Sequence, residues 1–145
     1  MDGFSGRYSC DKVGWYGGWF GRPKFEFQTD LTDPLTCCLH GILYRPDFHF
    51  FTDKGSVPRL IQTIAPYYFD RAKYERAYYF HDSAYAHGGV WVAVHGGWEF
   101  KKITRKQADT MLRDMILLEG GSKANARLIY WGVRSGGWAS WKGSK

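Results

Sequence analysis

Glycine pairs recur through the second half of the chain and limit how long a helix or strand can run there. Gly-Gly occurs at residues 88–89, 96–97, 120–121 and 136–137. Adjacent glycines oppose continued regular structure because they lack the side chain that restricts the backbone. The sequence therefore predicts that a helix or strand ends at each pair.

The intervals carry the patterns of helices and of one hairpin. A helix is predicted over residues 70–86, where the first glycine pair ends it. Thr104, with Gln107 three residues later, forms a capping box that begins a helix to about Leu118, and Ser122 caps a last helix. The alternating runs "VWVAV" and "WEFKKI" flank a glycine turn, which predicts a β-hairpin between the first two helices.

The first half of the chain has the alternation of β-strands. "KFEFQ", "LTCCLHGILY" and "FHFF" are three strand candidates within residues 24–51, and proline-containing turns separate them. Ser56 caps a short helix over residues 57–64. The predicted fold class is α+β, with a small N-terminal antiparallel sheet followed by a helical core. Residues 1–23, rich in glycine and aromatic residues, are predicted to be an extension that forms a loop or short hairpin whose rings pack on the domain, with an exposed aromatic patch as the alternative. Residues 24–145 are predicted to be a single domain.

The composition limits the cellular compartment and the kinds of partner, but it does not indicate a function. The net charge is +6, and the densest basic run, residues 101–106, falls in a turn without a nucleic-acid motif around it, which favours a solvated turn over nucleic-acid binding. Three cysteines without a CxxC pair predict a reducing compartment. We find neither a signal-peptide pattern nor an apolar stretch near the ~20 residues of a membrane-spanning helix. Synthesis in the cytoplasm is the expectation.

The stretch "HDSAY" carries the strongest signal for chemistry. On a helix, Tyr74, Tyr78, His81 and Tyr85 lie on one face, and an inward-facing histidine held by a carboxylate is a candidate general base. The adjacent Asp82 lies about 100° round the helix from His81 and is a poor partner.

Asp109 borders the apolar stripe of the capped helix, where an unpaired carboxylate would be costly, so it needs a partner. It could reach His81 if the two helices pack antiparallel. Asp82 would then be free to bind a cation or a polar group of a substrate. The same residues also fit a purely structural polar network in the core, and the residues alone leave both interpretations open.

Other candidate groups are weaker. Asp53 and Gly55 form a turn that could offer oxygen atoms to Ca²⁺, although an ordinary turn before a helix explains them as well. Ser56 lacks the setting of a nucleophile. The remaining histidines in predicted strands and turns have no spacing typical of a transition-metal site.

Four ordered segments carry a resemblance to a known family. They are "FFTDKGSVPRL", "YERAYYFHDSAY", "KQADTMLRDM" and "LIYWGVRSGGW". Across roughly residues 24–141 the chain resembles an uncharacterised family of bacterial and tailed-phage proteins, domain of unknown function 1353. This resemblance implies synthesis in a host cytoplasm and a possible place in a phage particle.

The middle segments are also similar to phospholipase A2, where HDxxY on one helix is followed by an aspartate on the next. The resemblance implies that His81 activates water, Asp109 orients it, Tyr85 braces Asp109, and Asp82 binds Ca²⁺. The glycine-rich calcium loop and the disulfides of the classical enzymes are missing. The expected function is a phage-type ester hydrolase, with phospholipid as one substrate class. The alternative is a non-enzymatic virion or interaction protein.

Exposed tryptophans are the expected contact surface in either case. They would touch a lipid interface or other virion proteins, aided by the basic residues. The candidates are Trp15, Trp19, Trp138 and Trp141.

Overall fold

The computed structural model of the protein describes residues 2–16, 22–52, 74–139 and 141–143. This part of the chain contains eight strands, three α-helices and a short 3₁₀ turn, Gly137–Ala139. The strands are β1 (Gly3–Ser5), β2 (Tyr8–Tyr16), β3 (Arg22–Thr29), β4 (Thr36–Leu39), β5 (Ile42–Arg45), β6 (His49–Thr52), β7 (Gly89–Val94) and β8 (Gly97–Lys102). The helices are α1 (Glu75–His87), α2 (Arg105–Leu118) and α3 (Lys123–Gly136). The short helix predicted over residues 57–64, with its cap Ser56, lies outside the described residues.

The strands form two antiparallel sheets. One has five strands in the order β1-β4-β5-β7-β8, and the other has three in the order β2-β3-β6. The hairpin predicted after the first helix is present as β7–β8 and extends the larger sheet. The predicted α+β class is confirmed. The single three-stranded sheet predicted for residues 24–51 is wrong in detail, because four strands of this region divide between the two sheets.

A two-residue turn explains the extra strand. The segment "LTCCLHGILY" is a hairpin, β4–β5, in which Leu39 pairs with Ile42 across His40 and Gly41. Both turn residues have positive φ, 52° and 79°. Such a turn matches the right-handed twist of the strands on either side of it, and glycine suits its second position. The apolar run concealed this turn in the sequence.

Residues before β3 take part in both sheets. Gly3 pairs with Cys38 in the larger sheet, and β2 pairs with β3 along its length. Their rings pack into the interior: Tyr8 lies 5.3 Å from Tyr79, and Phe4 lies 5.9 Å from Phe80, between ring centroids. The boundary at residue 23 that composition suggested therefore falls within a strand.

Two of the three helices begin at a residue whose side chain caps the helix start. Thr104 and Gln107 form the predicted capping box of α2, and Ser122 accepts a hydrogen bond from the backbone of α3. The start of α1 has no side-chain cap of its own. Instead Glu119, at the end of α2, accepts a hydrogen bond of 2.8 Å from the backbone N–H of Ala77. Helix ends need such partners, and here the residue that ends α2 supplies one to the start of α1.

Helix α1 lies at the centre of the core. Its buried tyrosines and Phe80 pack with strands β3, β4 and β6 and with apolar residues of α2 and α3. A second, smaller cluster joins the end of α1 to β7 and the start of α2. His81 and Asp109 are thus buried between packed helices. Within the described ranges, no helix has the length and apolar character needed to cross a membrane.

Candidate active site

A buried hydrogen bond joins the histidine of α1 to the aspartate of α2. His81 Nε2 lies 2.7 Å from Asp109 Oδ1. His81 is 2% exposed and Asp109 is fully buried. The structure therefore brings together the two residues whose contact the sequence predicted, although their catalytic role stays a prediction.

Asp109 receives further donors from three side chains. The Tyr85 hydroxyl donates to Oδ1 at 2.6 Å, and Arg134 Nη1 donates to Oδ2 at 2.9 Å. Arg105, four residues earlier on α2, has its Nη1 3.5 Å from Oδ2. Burial would raise the pKa of Asp109, but the hydrogen bonds from His81, Tyr85 and Arg134 outweigh it and hold the pKa below its ordinary value. Asp109 is therefore a carboxylate acceptor.

The two arginines were not predicted as part of this site. Arg105 also donates to the carbonyl oxygens of Val133 and Arg134, at 3.2 and 3.3 Å, near the end of α3. Cations favour helix C-termini, so this contact ties the start of α2 to the end of α3. The spacing of Arg105 and Asp109, four residues on one helix, was a usable signal. Arg134 stands in a recognised segment, but nothing local pointed it at Asp109.

The other ring nitrogen of His81 has no partner in the described part of the chain. Nδ1 is buried and makes no hydrogen bond there. Because the Asp109 carboxylate only accepts, Nε2 carries the hydrogen of the neutral ring, and Nδ1 is left with its lone pair. Buried polar atoms are nearly always paired, so an orphaned basic nitrogen calls for an explanation.

A small cavity adjoins the ring. It has a volume of about 10 Å³ and is lined by His81 and by apolar side chains of α1, β7 and α2, namely Phe80, Ala84, Val90, Ala108, Met111, Leu112 and Met115. A space of this size holds one water molecule at most. In this conformation the cavity excludes any group of substrate size.

Tyr85 connects the site to the C-terminal segment. Its ring lies 4.2 Å from the His81 ring and 5.2 Å from the Trp141 ring, between centroids. Its backbone carbonyl accepts a hydrogen bond of 2.9 Å from Lys142. Burial, and then the hydrogen bond to Asp109, raise the pKa of Tyr85. Tyr85 therefore remains a neutral donor to the carboxylate, in the contact that the resemblance implied, while its catalytic role stays a prediction.

The predicted calcium ligands are not brought together in the described residues. Asp82 is half-buried on α1, and Asp53 lies outside those residues. Within that part, no group of three or more histidine, cysteine or acidic side chains could hold an ion. Ca²⁺ takes six to eight oxygen ligands. The described residues do not make up a calcium site, and both assignments stay predictions.

The four candidate tryptophans differ in exposure. Trp15 is 61% and Trp138 is 71% exposed, as expected of contact residues. Trp141 is half-buried against Tyr85, and Trp19 lies outside the described residues. Trp131 of α3, which we did not single out in the sequence, is 60% exposed.

A second histidine–aspartate pair lies near the end of α1, and no local pattern predicted it because the partners are forty residues apart. His87 Nδ1 lies 2.5 Å from Asp47 Oδ2, and the His87 side chain is 39% exposed. The Trp91 indole N–H donates to the other oxygen of Asp47 at 2.7 Å. This pair provides an exposed counterpart to the buried one.

These contacts define an α+β domain whose helices enclose a buried histidine–aspartate–arginine network. Residues 39–133 match the model of the family described as "Protein of unknown function (DUF1353)", so the chain belongs to that family. The family predicted from the four segments is thereby confirmed, with a match that begins at the end of β4. No curated protein and no solved structure gives a significant match to the chain.

Proposed function

We propose that the protein is a hydrolase in which His81 acts as a general base on water and Asp109 holds the base in place. The observation that carries the proposal is the orphaned Nδ1 of a buried histidine whose Nε2 is bonded to a carboxylate. If Nε2 donates to the carboxylate, Nδ1 of the neutral ring carries the lone pair that proton abstraction by imidazole requires. The same arrangement is what the resemblance to phospholipase A2 implies.

The reaction proposed is hydrolysis of a carboxylic ester. Nδ1 takes a proton from water while the water oxygen bonds to the carbonyl carbon, giving a tetrahedral oxyanion and an imidazolium. As the ester C–O bond breaks, the same proton passes from Nδ1 to the departing alkoxide, and a carboxylic acid and an alcohol result. Asp109 stabilises the imidazolium, while Tyr85 and Arg134 keep the carboxylate ionised and fixed.

The lining of the cavity favours an apolar acyl group as the substrate part nearest to His81. Apart from His81, its lining side chains are aliphatic, aromatic or methionine. Water exclusion strengthens the electrostatic interactions at such a site. Since the cavity is too small for an acyl chain, binding requires that the helices or neighbouring segments move apart. A phospholipid is the substrate class that we test first.

One observation favours a second candidate, a non-enzymatic protein in which the network is structural. His81 and Asp109 are both buried, and two arginines compensate the charge of Asp109. A compensated buried network can fix a unique core packing without any catalytic role. The phage origin that the resemblance implies applies to both candidates, whereas a place in a virion belongs to this alternative, and both stay predictions.

The experiment is hydrolysis of anionic phospholipid vesicles and of a soluble short-chain ester by wild type, His81→Gln and His87→Gln. His87 is the matched control because it lies on the same helix and is also bonded to an aspartate. We expect His81→Gln to lose about 10²–10⁴-fold in rate, the usual contribution of general-base catalysis, and His87→Gln to retain activity.

Running each assay with calcium and with chelator tests Asp82 and Asp53 at the same time. Calcium-dependent turnover would direct mutagenesis to those two residues. Turnover that is equal in wild type and folded His81→Gln would reject the proposal. A lower melting temperature of His81→Gln, without turnover by wild type on either substrate, would favour the structural alternative.

A further inference from the structure

Arg45, the last residue of β5, is a buried arginine surrounded by aromatic rings. It is 4% exposed. Its guanidinium carbon lies over the rings of Phe48, Trp91 and Trp98, at 3.7, 4.6 and 5.2 Å from the three centroids. Cation–π attraction of this kind stabilises the positive charge at the faces of the guanidinium.

The N–H groups at the edge of the guanidinium are only partly hydrogen-bonded. Nη1 donates to the Pro46 carbonyl oxygen at 2.9 Å. Nε is buried without a hydrogen-bond partner, and among the described residues no carboxylate forms an ion pair with Arg45. Burying a charge without an anionic partner is unfavourable. Burial accordingly lowers the pKa of Arg45, and Asp47 opposes this only at a distance.

The nearest candidate anion in the sequence, Asp47, is bonded elsewhere. One of its oxygens accepts the Trp91 indole N–H, and the other bonds to His87. Its backbone N–H donates to the Ser83 hydroxyl at 2.9 Å, which fixes the residue against α1. Asp47 thus holds Trp91 in place beside Arg45 and leaves the guanidinium edge unpaired.

We propose that the Nε and Nη2 edge of Arg45 is a binding site for an oxyanion, a carboxylate or a phosphate group of a ligand. These two nitrogens point in one direction in the guanidinium plane and match two oxygens of such a group. Phe48, Trp91 and Trp98 lie over the guanidinium, and because Arg45 is 4% exposed, an oxyanion reaches this edge only when a neighbouring side chain moves aside. The site requires no hydrolytic activity and is independent of the function proposed for His81.

The test measures binding of inorganic phosphate and of acetate to the whole chain by calorimetry and by the shift in melting temperature. Chloride at the same ionic strength is the reference. The variants are Arg45→Lys, which keeps the charge but loses the two-pronged edge, and Arg45→Met, which keeps the bulk without the charge. Arg127→Met, at an exposed arginine of α3, is the matched control.

We expect one of the two anions to bind wild type and Arg127→Met equally and to raise their melting temperature, because a ligand of the folded state stabilises it. Arg45→Lys should bind roughly tenfold more weakly, the effect of losing one charge-assisted hydrogen bond. The anion that binds identifies the ligand group as phosphate or carboxylate.

The proposal is overturned if neither anion binds to wild type. Equal binding by wild type and Arg45→Lys would also overturn it. If Arg45→Met does not fold, wild type and Arg45→Lys still decide the question. An Arg45→Met protein that folds and binds the anion like wild type would also overturn it.

Discussion

The charge of Asp109 is the most heavily compensated feature at the scale of single residues. His81, Tyr85, Arg134 and Arg105 all approach its two oxygens, although the residue itself is buried. Helical spacing predicted that His81 and Tyr85 share one inward face, and the resemblance to phospholipase A2 implied that Tyr85 braces Asp109. The sequence did not predict Arg134, because only the packing of α3 on α2 brings that residue near.

We expect Asp109→Asn to lower the free energy of unfolding by about 3 kcal/mol, since it leaves two arginines without their carboxylate. The arginines are 25% and 19% exposed, and this partial exposure places the effect at the lower end of the range for buried pairs. Denaturant unfolding at neutral pH measures it. Tyr85→Phe, which removes one of several donors, should cost about 1 kcal/mol. Equal effects of the two variants would contradict this account of the network.

The same difference has a defined pH dependence. The folded-state pKa of Asp109 is lowered, so its contribution is fully present above the unfolded-state value near 3.8 and is lost as the pH falls through the folded value. The gap between wild type and Asp109→Asn should therefore be widest near neutral pH and shrink below about pH 4. A gap that widens in acid would contradict the assignment of a lowered pKa.

At the scale of elements, the turn between β4 and β5 divides one apolar run into two paired strands of the larger sheet. Capping residues and glycine pairs were sufficient to predict α2, α3 and the β7–β8 hairpin. The β4–β5 turn escaped prediction because His40 and Gly41 interrupt an apolar run by only two residues. The cap of α1 escaped for another reason, since Glu119 is distant in sequence and comes near only through helix packing.

Gly41→Ala isolates the backbone requirement of this turn. No atom lies within 4 Å of an added Cβ at Gly41, so its φ of +79° is the whole obstacle. We expect a loss of about 1–2 kcal/mol, the strain of a left-handed alanine. Gly97→Ala is the matched control, because its Cβ would also meet open space and its φ is not positive. Thermal unfolding of both variants checks this, and equal stability would refute it.

At the scale of the whole molecule, the first strands belong to the core although the family match begins at residue 39. Strand β1 forms one edge of the five-stranded sheet, and β2 pairs with β3 at one edge of the three-stranded sheet. Phe27, fully buried, lies 5.9 Å from Tyr8 between ring centroids. The packing of rings from residues 1–23 on the domain was predicted from the sequence, but no local pattern indicates that β1 pairs with β4, which lies far along the chain.

Deletion of residues 1–23 should therefore abolish cooperative unfolding instead of trimming a tail. It removes β1 and β2 and exposes to solvent the rings of Phe27 and Tyr79, which lie in the aromatic core. Circular dichroism during heating and binding of a hydrophobic dye measure the effect. A truncated chain that unfolds as sharply as wild type at a similar temperature would show that the first strands are dispensable.

The residue that ends α1 meets two unrelated demands. Gly88 has φ +75°, and a Cβ on it would lie 2.7 Å from the Cα of Gly143, where the C-terminal segment crosses the helix end. Asparagine, the usual substitute at a left-handed helix end, satisfies the first demand and fails the second. In related chains, a larger residue can thus replace Gly88 only after the C-terminal segment has moved away from the helix end. The two changes can occur in that order and not in the reverse order.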